Sequence, residues 1–281
     1  MPELPEVETV VRDLRPLVVG RTIRTVTAGG RQLRHPWDAG WNDRLAGATV
    51  AAIDRRGKWM LFDLGGPVLL AHLGMTGQLT VAGGDDPVAD HTHLRFALDD
   101  GRELRFRDPR RFGSATLFPD RPTLHAFLDA RLGPEPFGLD PAYFRRALRE
   151  TSRTLKAVLL DQTVVAGVGN IYADEACHRA GLHPGRRGRT VAGADADRLR
   201  EAVEAVLLRA IDGRGSTIRD YVGGSGLRGQ FQNEHAVYGR TGEPCPGCGT
   251  AVAMVRIAGR ASHFCPACQP PPRRTKRKRP G

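Results

Sequence analysis

Gly133-Pro134-Glu135-Pro136 separates two kinds of sequence, and the reading of each side decides the fold. Two prolines in four residues fix φ and remove backbone donors, so the tetrapeptide reads as a linker. On its N-terminal side lie short apolar or alternating runs at 22–27, 49–54, 59–64, 68–73, 92–98 and 103–107, closely punctuated by Gly and Pro. Asp99-Asp100-Gly101, between the last two runs, is a hairpin signal. Such spacing predicts a β-sandwich or barrel. Ahead of these strands Leu4, Val7, Val10, Val11, Leu14, Leu17 and Val18 recur at three- and four-residue spacing, which predicts a flanking helix over 4–18 ending before Gly20.

On the C-terminal side the period changes. Asp140-Pro141 is a cap followed by proline at the first helical position, opening a helix through about 150. Helical patterns continue at 155–160, 172–180 and 196–211, with no strand pattern between 135 and 215. The expectation is an α+β multidomain protein. It has a β-rich domain over 1–132, a helical domain over 133–236 including a glycine-rich loop at 213–229, a cysteine module over 237–269, and a low-complexity basic tail over 270–281. No internal repeat is present.

Charge and cysteine use narrow the function classes. The formal charge is +11, and subtracting the six basic residues Arg273, Arg274, Lys276, Arg277, Lys278 and Arg279 of the tail leaves +5. Both the body and the tail therefore suit a polyanion. No run of about 18 apolar residues exists to span a bilayer, and the acidic N-terminus lacks the pattern of a secretory signal. A cytosolic protein with no membrane partner is expected. Cys245-Pro246-Gly247-Cys248 and Cys265-Pro266-Ala267-Cys268 are two CxxC knuckles separated by sixteen residues. In a reducing compartment that clustering fits one tetrahedral zinc ion better than disulfides. Four sulfur ligands leave no open coordination position, so the zinc is expected to be structural. Residues 252–257 and 261–264 would form a hairpin turning at Ala258-Gly259-Arg260, with Arg260 either solvated or held against a ligand. Cys177, beside His178, reads as a buried thiol.

The chain starts Met1-Pro2-Glu3-Leu4-Pro5-Glu6. Methionine removal is expected before a small residue, and it would leave a secondary α-amine. Such an amine has a pKa of about 7.7–8, so part of it is neutral and nucleophilic near pH 7. Its adduct with a sugar aldehyde carbon is an iminium that stays cationic at any pH, an electron sink suited to elimination. Glu3 could serve as general acid or base there. The plain alternative is that both residues only start a helix. His72-Leu73-Gly74-Met75-Thr76-Gly77 places Met75 on a turn, as core filling or as something else. Asp108-Pro109-Arg110-Arg111-Phe112-Gly113 presents two guanidiniums beside a ring, either as a phosphate grip with a wedge or as a surface turn with Phe112 tucked into the sheet. Val165-Ala166-Gly167-Val168-Gly169-Asn170 is a glycine loop opening a helix, a geometry that binds phosphate, with Lys156 upstream to add charge. It lacks the dinucleotide spacing. Lys58, ahead of a strand, is ambiguous on its own.

Taken together these motifs resemble the bacterial formamidopyrimidine-DNA glycosylase family, over residues 2–269. The likeness is carried by PELPEVE at the start, the RGK ending at Lys58, HLGMTG at 72–77, DPRRFG at 108–113, LLDQTVVAGVGNIYADE at 159–175, VYGRTGEPC at 237–245 and the zinc knuckles. Leu4 favours this branch over the sister endonuclease VIII group, which typically has glycine there. The resemblance implies an N-terminal β-sandwich, a helical domain with a helix–two-turn–helix motif, a four-cysteine zinc finger, and double-stranded DNA containing oxidised bases in a cleft. It implies Pro2 as Schiff-base nucleophile, Glu3 as proton donor or base, Lys58 in β-elimination, and Arg260 in δ-elimination with a phosphate contact. Met75, Arg110 and Phe112 would fill the void left by an extruded base, while His93, Arg111, Lys156 and Asn170 would grip DNA. The loop 223–229 would close over the extruded base. Relatives carry a basic DNA contact four residues before Lys156; here Ser152 stands there, with Arg153 beside it as the candidate replacement. The implied protein is bacterial, cytoplasmic and nucleoid-associated, and its chemistry requires only a monomer. A non-catalytic paralogue that binds damaged DNA, or a zinc-ribbon scaffold for protein partners, would keep the knuckles without needing Pro2, Glu3 and Lys58 together.

Overall fold

The computed structural model describes residues 1–216, 224 and 229–271. The chain folds as two compact units, one of Met1–Glu135 with Leu207–Glu234, the other of Pro136–Val206 with the chain from His235 on.

The first unit opens with helix α1 (Leu4–Val18). Its apolar stripe is the one the sequence spacing predicts, and Val7, Val10, Val11, Leu14 and Val18 are all buried. Eight strands follow: β1 (Ile23–Ala28), β2 (Ala52–Arg56), β3 (Trp59–Asp63), β4 (Val68–His72), β5 (Gln78–Gly83), β6 (Thr92–Leu98), β7 (Arg102–Arg107) and β8 (Ser114–Phe118). They form two antiparallel four-stranded sheets, ordered β1-β6-β7-β5 and β2-β3-β4-β8. Alternation along each strand decides which side chains meet between the sheets. Val26, Leu79, Phe96, Leu104 and Phe106 from one sheet share a core with Ile53, Met60, Phe62, Leu69 and Leu117 from the other and with α1. The sandwich expectation is met. The opposite face of the second sheet is also covered, since Leu61, Val68, Leu70 and Phe118 pack with Leu124 and Leu128. Those two leucines belong to a helix (Arg121–Asp129) that the sequence pattern does not announce, as it does not announce β5, β8 or a short helix at Gly40–Leu45. In chain order these two helices are α2 (Gly40–Leu45) and α3 (Arg121–Asp129).

The second unit is helical, with α4 (Pro141–Arg149), α5 (Leu155–Leu159), α6 (Asn170–Arg179) and most of α7 (Gly193–Asp212). Asp140 caps α4 by accepting from the Ala142 and Tyr143 amides, and Pro141 sits in its first turn, as Asp-Pro predicts. The unit ends in a two-stranded hairpin, β9 (Ala253–Ile257) and β10 (Arg260–Phe264). Ala258 and Gly259 between them both have positive φ, the requirement of a tight two-residue hairpin turn.

Candidate active site and DNA-contact residues

Met1 is 54 % exposed, and the chain turns inward directly after it. Pro2 and Glu3 are buried, and Glu3 is only 2 % exposed. Glu6, one turn into α1 and equally buried, holds both neighbouring backbones: one carboxylate oxygen accepts the Glu3 amide at 2.8 Å, the other the Ser216 amide at 2.7 Å. Pro2 and Glu3 thus do start a helix, with Glu3 and Glu6 forming its capping box, and the same contacts hold both residues in a buried place. Burial pulls the N-terminal amine of Met1 below its ordinary pKa; Glu3 and Glu6 oppose this, and the cations of Lys58 and Arg110 add to it. The same surroundings act on the Pro2 amine once Met1 is gone. Lys58 is itself buried, at the second central position of the tight β2–β3 turn, where Arg56 pairs with Trp59 and Gly57 supplies the positive φ. Pro2, Glu3, Lys58 and Arg110 are thus brought together electrostatically. His72, under Trp59 with ring centroids 4.6 Å apart, accepts the Gly74 amide at Nδ1. Burial, aided by Lys58 and Arg34, lowers its pKa to about 4, so it is neutral at pH 7.

Met75 and Phe112, 36 % and 45 % exposed, are among the few large apolar side chains facing solvent. That rules out core filling for Met75 and tucking into the sheet for Phe112. Their two loops touch, since a Cβ on Gly74 would lie 2.4 Å from the Phe112 carbonyl carbon. The Arg110 guanidinium lies 4.8 Å from the Phe112 ring centroid, and Arg111 is exposed with φ +57. Asp108 organises all of this, and the motif reading does not single it out. It is fully buried, accepting the Thr76 hydroxyl at 2.5 Å and the Gly113 amide at 2.7 Å, so one carboxylate binds both loops. Its carbonyl accepts from His93 Nε2 at 2.9 Å, which fixes the His93 proton on that nitrogen. An acid at the head of an Asp-Pro-Arg-Arg turn is the available signal. Asp108→Ala is expected to leave two or three donors unsatisfied and to destabilise the protein by about 2–5 kcal/mol. Thermal unfolding checks this, and a change below about 0.5 kcal/mol would remove Asp108 from its organising place.

In the second unit, Lys156 is fully buried rather than presented at a surface. Its ammonium donates to the Asn170 carbonyl at 2.7 Å and to Asp174 Oδ1 at 2.6 Å. Asp174 Oδ2 accepts the His263 amide at 2.9 Å, so the same acid ties α6 to β10, the strand that begins with Arg260. Arg260 is exposed at the hairpin turn. Glu175, next to Asp174, accepts the amides of Ala236, Val237 and Tyr238. Asn170 opens α6, and its amide nitrogen lies 3.5 Å from the Tyr238 hydroxyl, while its buried Oδ1 has no partner among the described residues. The glycine loop before it is pinned by Gln162, which donates to Leu160 and Val168 carbonyls and accepts the Gly167 amide. Arg153 pairs with Asp161 at 2.6 Å. Asp174, Glu175, Gln162 and Tyr238 lie inside the LLDQTVVAGVGNIYADE and VYGR stretches, where their types alone do not mark them. The loop 223–229 falls almost wholly outside the described residues, as does the tail from 272.

The four knuckle cysteines fit a zinc ion. Their sulfurs all lie within 4.8 Å of one another, with separations of 3.4 Å for Cys248–Cys265 and Cys248–Cys268 and 4.0 Å for Cys245–Cys268. Tetrahedral zinc with bonds of about 2.3 Å requires sulfurs about 3.8 Å apart. Cys245, Cys248, Cys265 and Cys268 would hold it and leave no position for substrate. Cys177 is fully buried, and burial pushes its thiol up to about 12, which leaves it inert.

Comparison with known proteins bears on the whole chain. Residues 1–115 match the formamidopyrimidine-DNA glycosylase N-terminal domain, 132–222 the formamidopyrimidine-DNA glycosylase H2TH domain, and 242–271 a zinc finger found in FPG and IleRS. The formamidopyrimidine-DNA glycosylase of Geobacillus kaustophilus (strain HTA426) is 45 % identical over 96 % of this chain and 100 % of its own. That of Symbiobacterium thermophilum (strain DSM 24528 / JCM 14929 / IAM 14863 / T) is 46 % identical over 100 % and 94 %. A solved complex between the Lactococcus lactis Fpg and an abasic site containing DNA superposes with a TM-score of 0.90 at 37 % identity, covering 96 % of this chain and 100 % of that one. With all three domain matches in this order, four clustered cysteines, and relatives of 45 % and 46 % identity over nearly the whole chain, the chain belongs to the formamidopyrimidine-DNA glycosylase family.

Proposed function

We propose that this protein, a DNA glycosylase and abasic-site lyase of base excision repair, excises oxidised purines such as 8-oxoguanine and formamidopyrimidines through a Schiff base at Pro2. The surroundings of the N-terminus support this most directly: Pro2 and Glu3 are buried, and burial together with the nearby Lys58 charge lowers the pKa of the amine that Met1 carries beside them. A base inside a duplex is out of reach, so it must first be extruded, at a cost of a few kcal/mol. Met75, Arg110 and Phe112 would occupy the gap, and the stacked Arg110–Phe112 pair keeps an otherwise mobile guanidinium in place.

The neutral Pro2 nitrogen attacks C1′ and gives up its proton, while the base departs with the glycosidic electrons and takes up a proton. Glu3 then protonates O4′ as the C1′–O4′ bond breaks, and the nitrogen lone pair closes the C1′ iminium of the opened sugar. The resulting iminium acidifies the C2′ proton. Lys58 serves its removal, and the freed electron pair forms the C2′–C3′ double bond as the 3′ phosphate leaves. Loss of the 5′ phosphate follows in the same sense, with Arg260 contacting phosphate. His93, Arg111 and Asn170 grip the backbone. Lys156 supports Asn170 from beneath, a role its complete burial favours over direct phosphate contact. Arg153 is engaged with Asp161 and would need to exchange that partner to reach DNA. The zinc, when bound, supplies only structure: it fixes the finger that presents Arg260. The working unit is one chain on double-stranded DNA in the bacterial cytoplasm, associated with the nucleoid; among the described residues no helix is long and apolar enough to cross a membrane.

Borohydride reduction during reaction with an 8-oxoguanine duplex tests the proposal. A covalent protein–DNA adduct is expected. A shift of the duplex in a gel with no adduct would instead support the binding-only paralogue.

A further inference from the structure

Glu135, which by sequence is only part of a linker, is the most heavily engaged carboxylate around the β2–β3 turn. Its Oε1 accepts the Gly57 amide at 2.6 Å and Arg56 at 3.0 Å, while its Oε2 accepts Arg55 at 2.7 Å. The neighbouring Gly133 carbonyl takes a second Arg56 hydrogen bond at 2.6 Å. Gly57 is the first central residue of a two-residue hairpin turn, so its amide points away from the strand ladder and needs an outside acceptor. Lys58 is the next residue. Arg55 also donates to the Gly57 carbonyl at 3.0 Å and to Glu8 of α1 at 3.0 Å. Burial pushes the Glu8 carboxyl up, but hydrogen bonds from Arg12 and Arg55 outweigh it and hold Glu8 below the usual carboxylate range. Both peptide groups of Gly57 are therefore clamped, and the clamp runs on through Arg55 to the helix that Glu3 caps and whose first turn carries Glu6.

We infer that Glu135 is a positioning residue for the strand-cutting reaction: it sets the Gly57-Lys58 turn in register with α1, so that Lys58 addresses the Pro2 adduct. Prolines on both sides, Pro134 and Pro136, restrict the backbone that presents this carboxylate. The charges also point to positioning rather than surface solubility. Arg55 is only 9 % exposed, and a buried guanidinium needs its acids to stay in one geometry.

The inference rests on the assignment of Lys58 to elimination, and the experiment separates the two. Single-turnover nicking of a duplex with a preformed abasic site would be compared for the intact protein, Lys58→Ala, Glu135→Ala, Glu135→Gln and Lys58→Ala/Glu135→Ala. Lys58→Ala is expected to slow nicking by on the order of 10²-fold or more, as loss of a general base does. Glu135→Ala is expected to slow it by roughly 10- to 100-fold, the cost of about 1 Å of misplacement. Glu135→Gln, which keeps an acceptor for Gly57 but not the ion pairs, should fall between Glu135→Ala and the intact protein, and it guards against a variant that fails to fold. The double variant should be no slower than Lys58→Ala alone, because Glu135 acts through that lysine. Multiplicative losses in the double variant, or rates for both Glu135 variants within about twofold of the intact protein, would overturn the inference. Unimpaired nicking by Lys58→Ala would overturn the lysine assignment, and the positioning role with it, a result visible in the single variant.

Discussion

A chain that keeps Met1 is expected to lose its borohydride adduct on an 8-oxoguanine duplex by on the order of 10³-fold or more, about 4 kcal/mol of transition-state stabilisation. Successive residues of a trans chain are about 3.8 Å apart, so an extra residue moves the reactive amine by that much in a site where reacting atoms must approach to about 3–3.5 Å. It also replaces the secondary amine by a primary one and turns the Pro2 nitrogen into an unreactive amide. Pro2→Gly separates these effects: the amine stays at its position, but its imine can lose a proton and become neutral, weakening the electron sink. A large loss of adduct is expected there too, smaller than for retained Met1. DNA affinity of both proteins should stay within a few-fold of the parent, because the loops that carry Met75 and Phe112 are tied together by Asp108, through Thr76 and Gly113. Equal loss of binding and of adduct would point to unfolding instead.

Removal of zinc is the second large effect. The finger's own apolar cluster among the described residues is small, Val237, Cys245, Val252 and Cys265 with Cys268 against them; Phe264 packs instead on His183, and Met254 and Val255 on β9 face solvent. Without the ion, too little apolar surface is buried to hold β9 against β10, whereas zinc supplies about 10–16 kcal/mol of apparent binding energy in comparable small fingers. Cys265→Ser is therefore expected to abolish stoichiometric zinc and the amide protection of residues 253–264. It should weaken DNA binding by roughly ten- to a hundredfold, the usual cost of losing one well-placed arginine contact. Metal analysis, hydrogen exchange and a binding titration check each part. Because Asp174 also holds β10 through the His263 amide, the α6 end of that strand should keep more protection than the turn at Gly259. A zinc-free chain with an ordered hairpin and unchanged affinity would show that the finger is held by something other than its metal.

Much of this architecture is legible in the sequence. α1 is legible because its buried face repeats at helical spacing, and the knuckles because CxxC pairs have few other uses. The strands 59–63 and 68–72 are legible because both of their faces are buried, one in the sandwich and one under α3, so they are continuously apolar. For the same reason α3 is hidden: its partner surface looks like ordinary strand core. β5 and β8 escape because Gln78–Gly83 alternates weakly and Ser114–Phe118 opens with small and polar residues, so neither shows a clear apolar run. Among candidate site residues, Lys58 is marked only by the family resemblance, whereas those whose own chemistry or spacing is distinctive (Pro2, Glu3, Arg110, Phe112, the cysteines) stand out. The acids that organise them do not. Asp108, Glu135, Asp174 and Glu6 act mostly through partners far off in the chain, such as Thr76 for Asp108, Gly57 for Glu135, Lys156 for Asp174 and Ser216 for Glu6. No local pattern records such partners. The same distance effect explains Lys156, which the motif suggests beside a phosphate and which the fold encloses against Asp174.

The central claim is that the α-amine of Pro2 bonds transiently to deoxyribose. Its most direct test is mass spectrometry of the N-terminal peptide from the borohydride-reduced complex. A peptide beginning at Pro2, lacking Met1 and carrying a reduced deoxyribose remnant on its terminal nitrogen, is the expected result. A remnant on Lys58 or another lysine, or Met1 intact in material fully competent to nick lesion-bearing duplex, would contradict it.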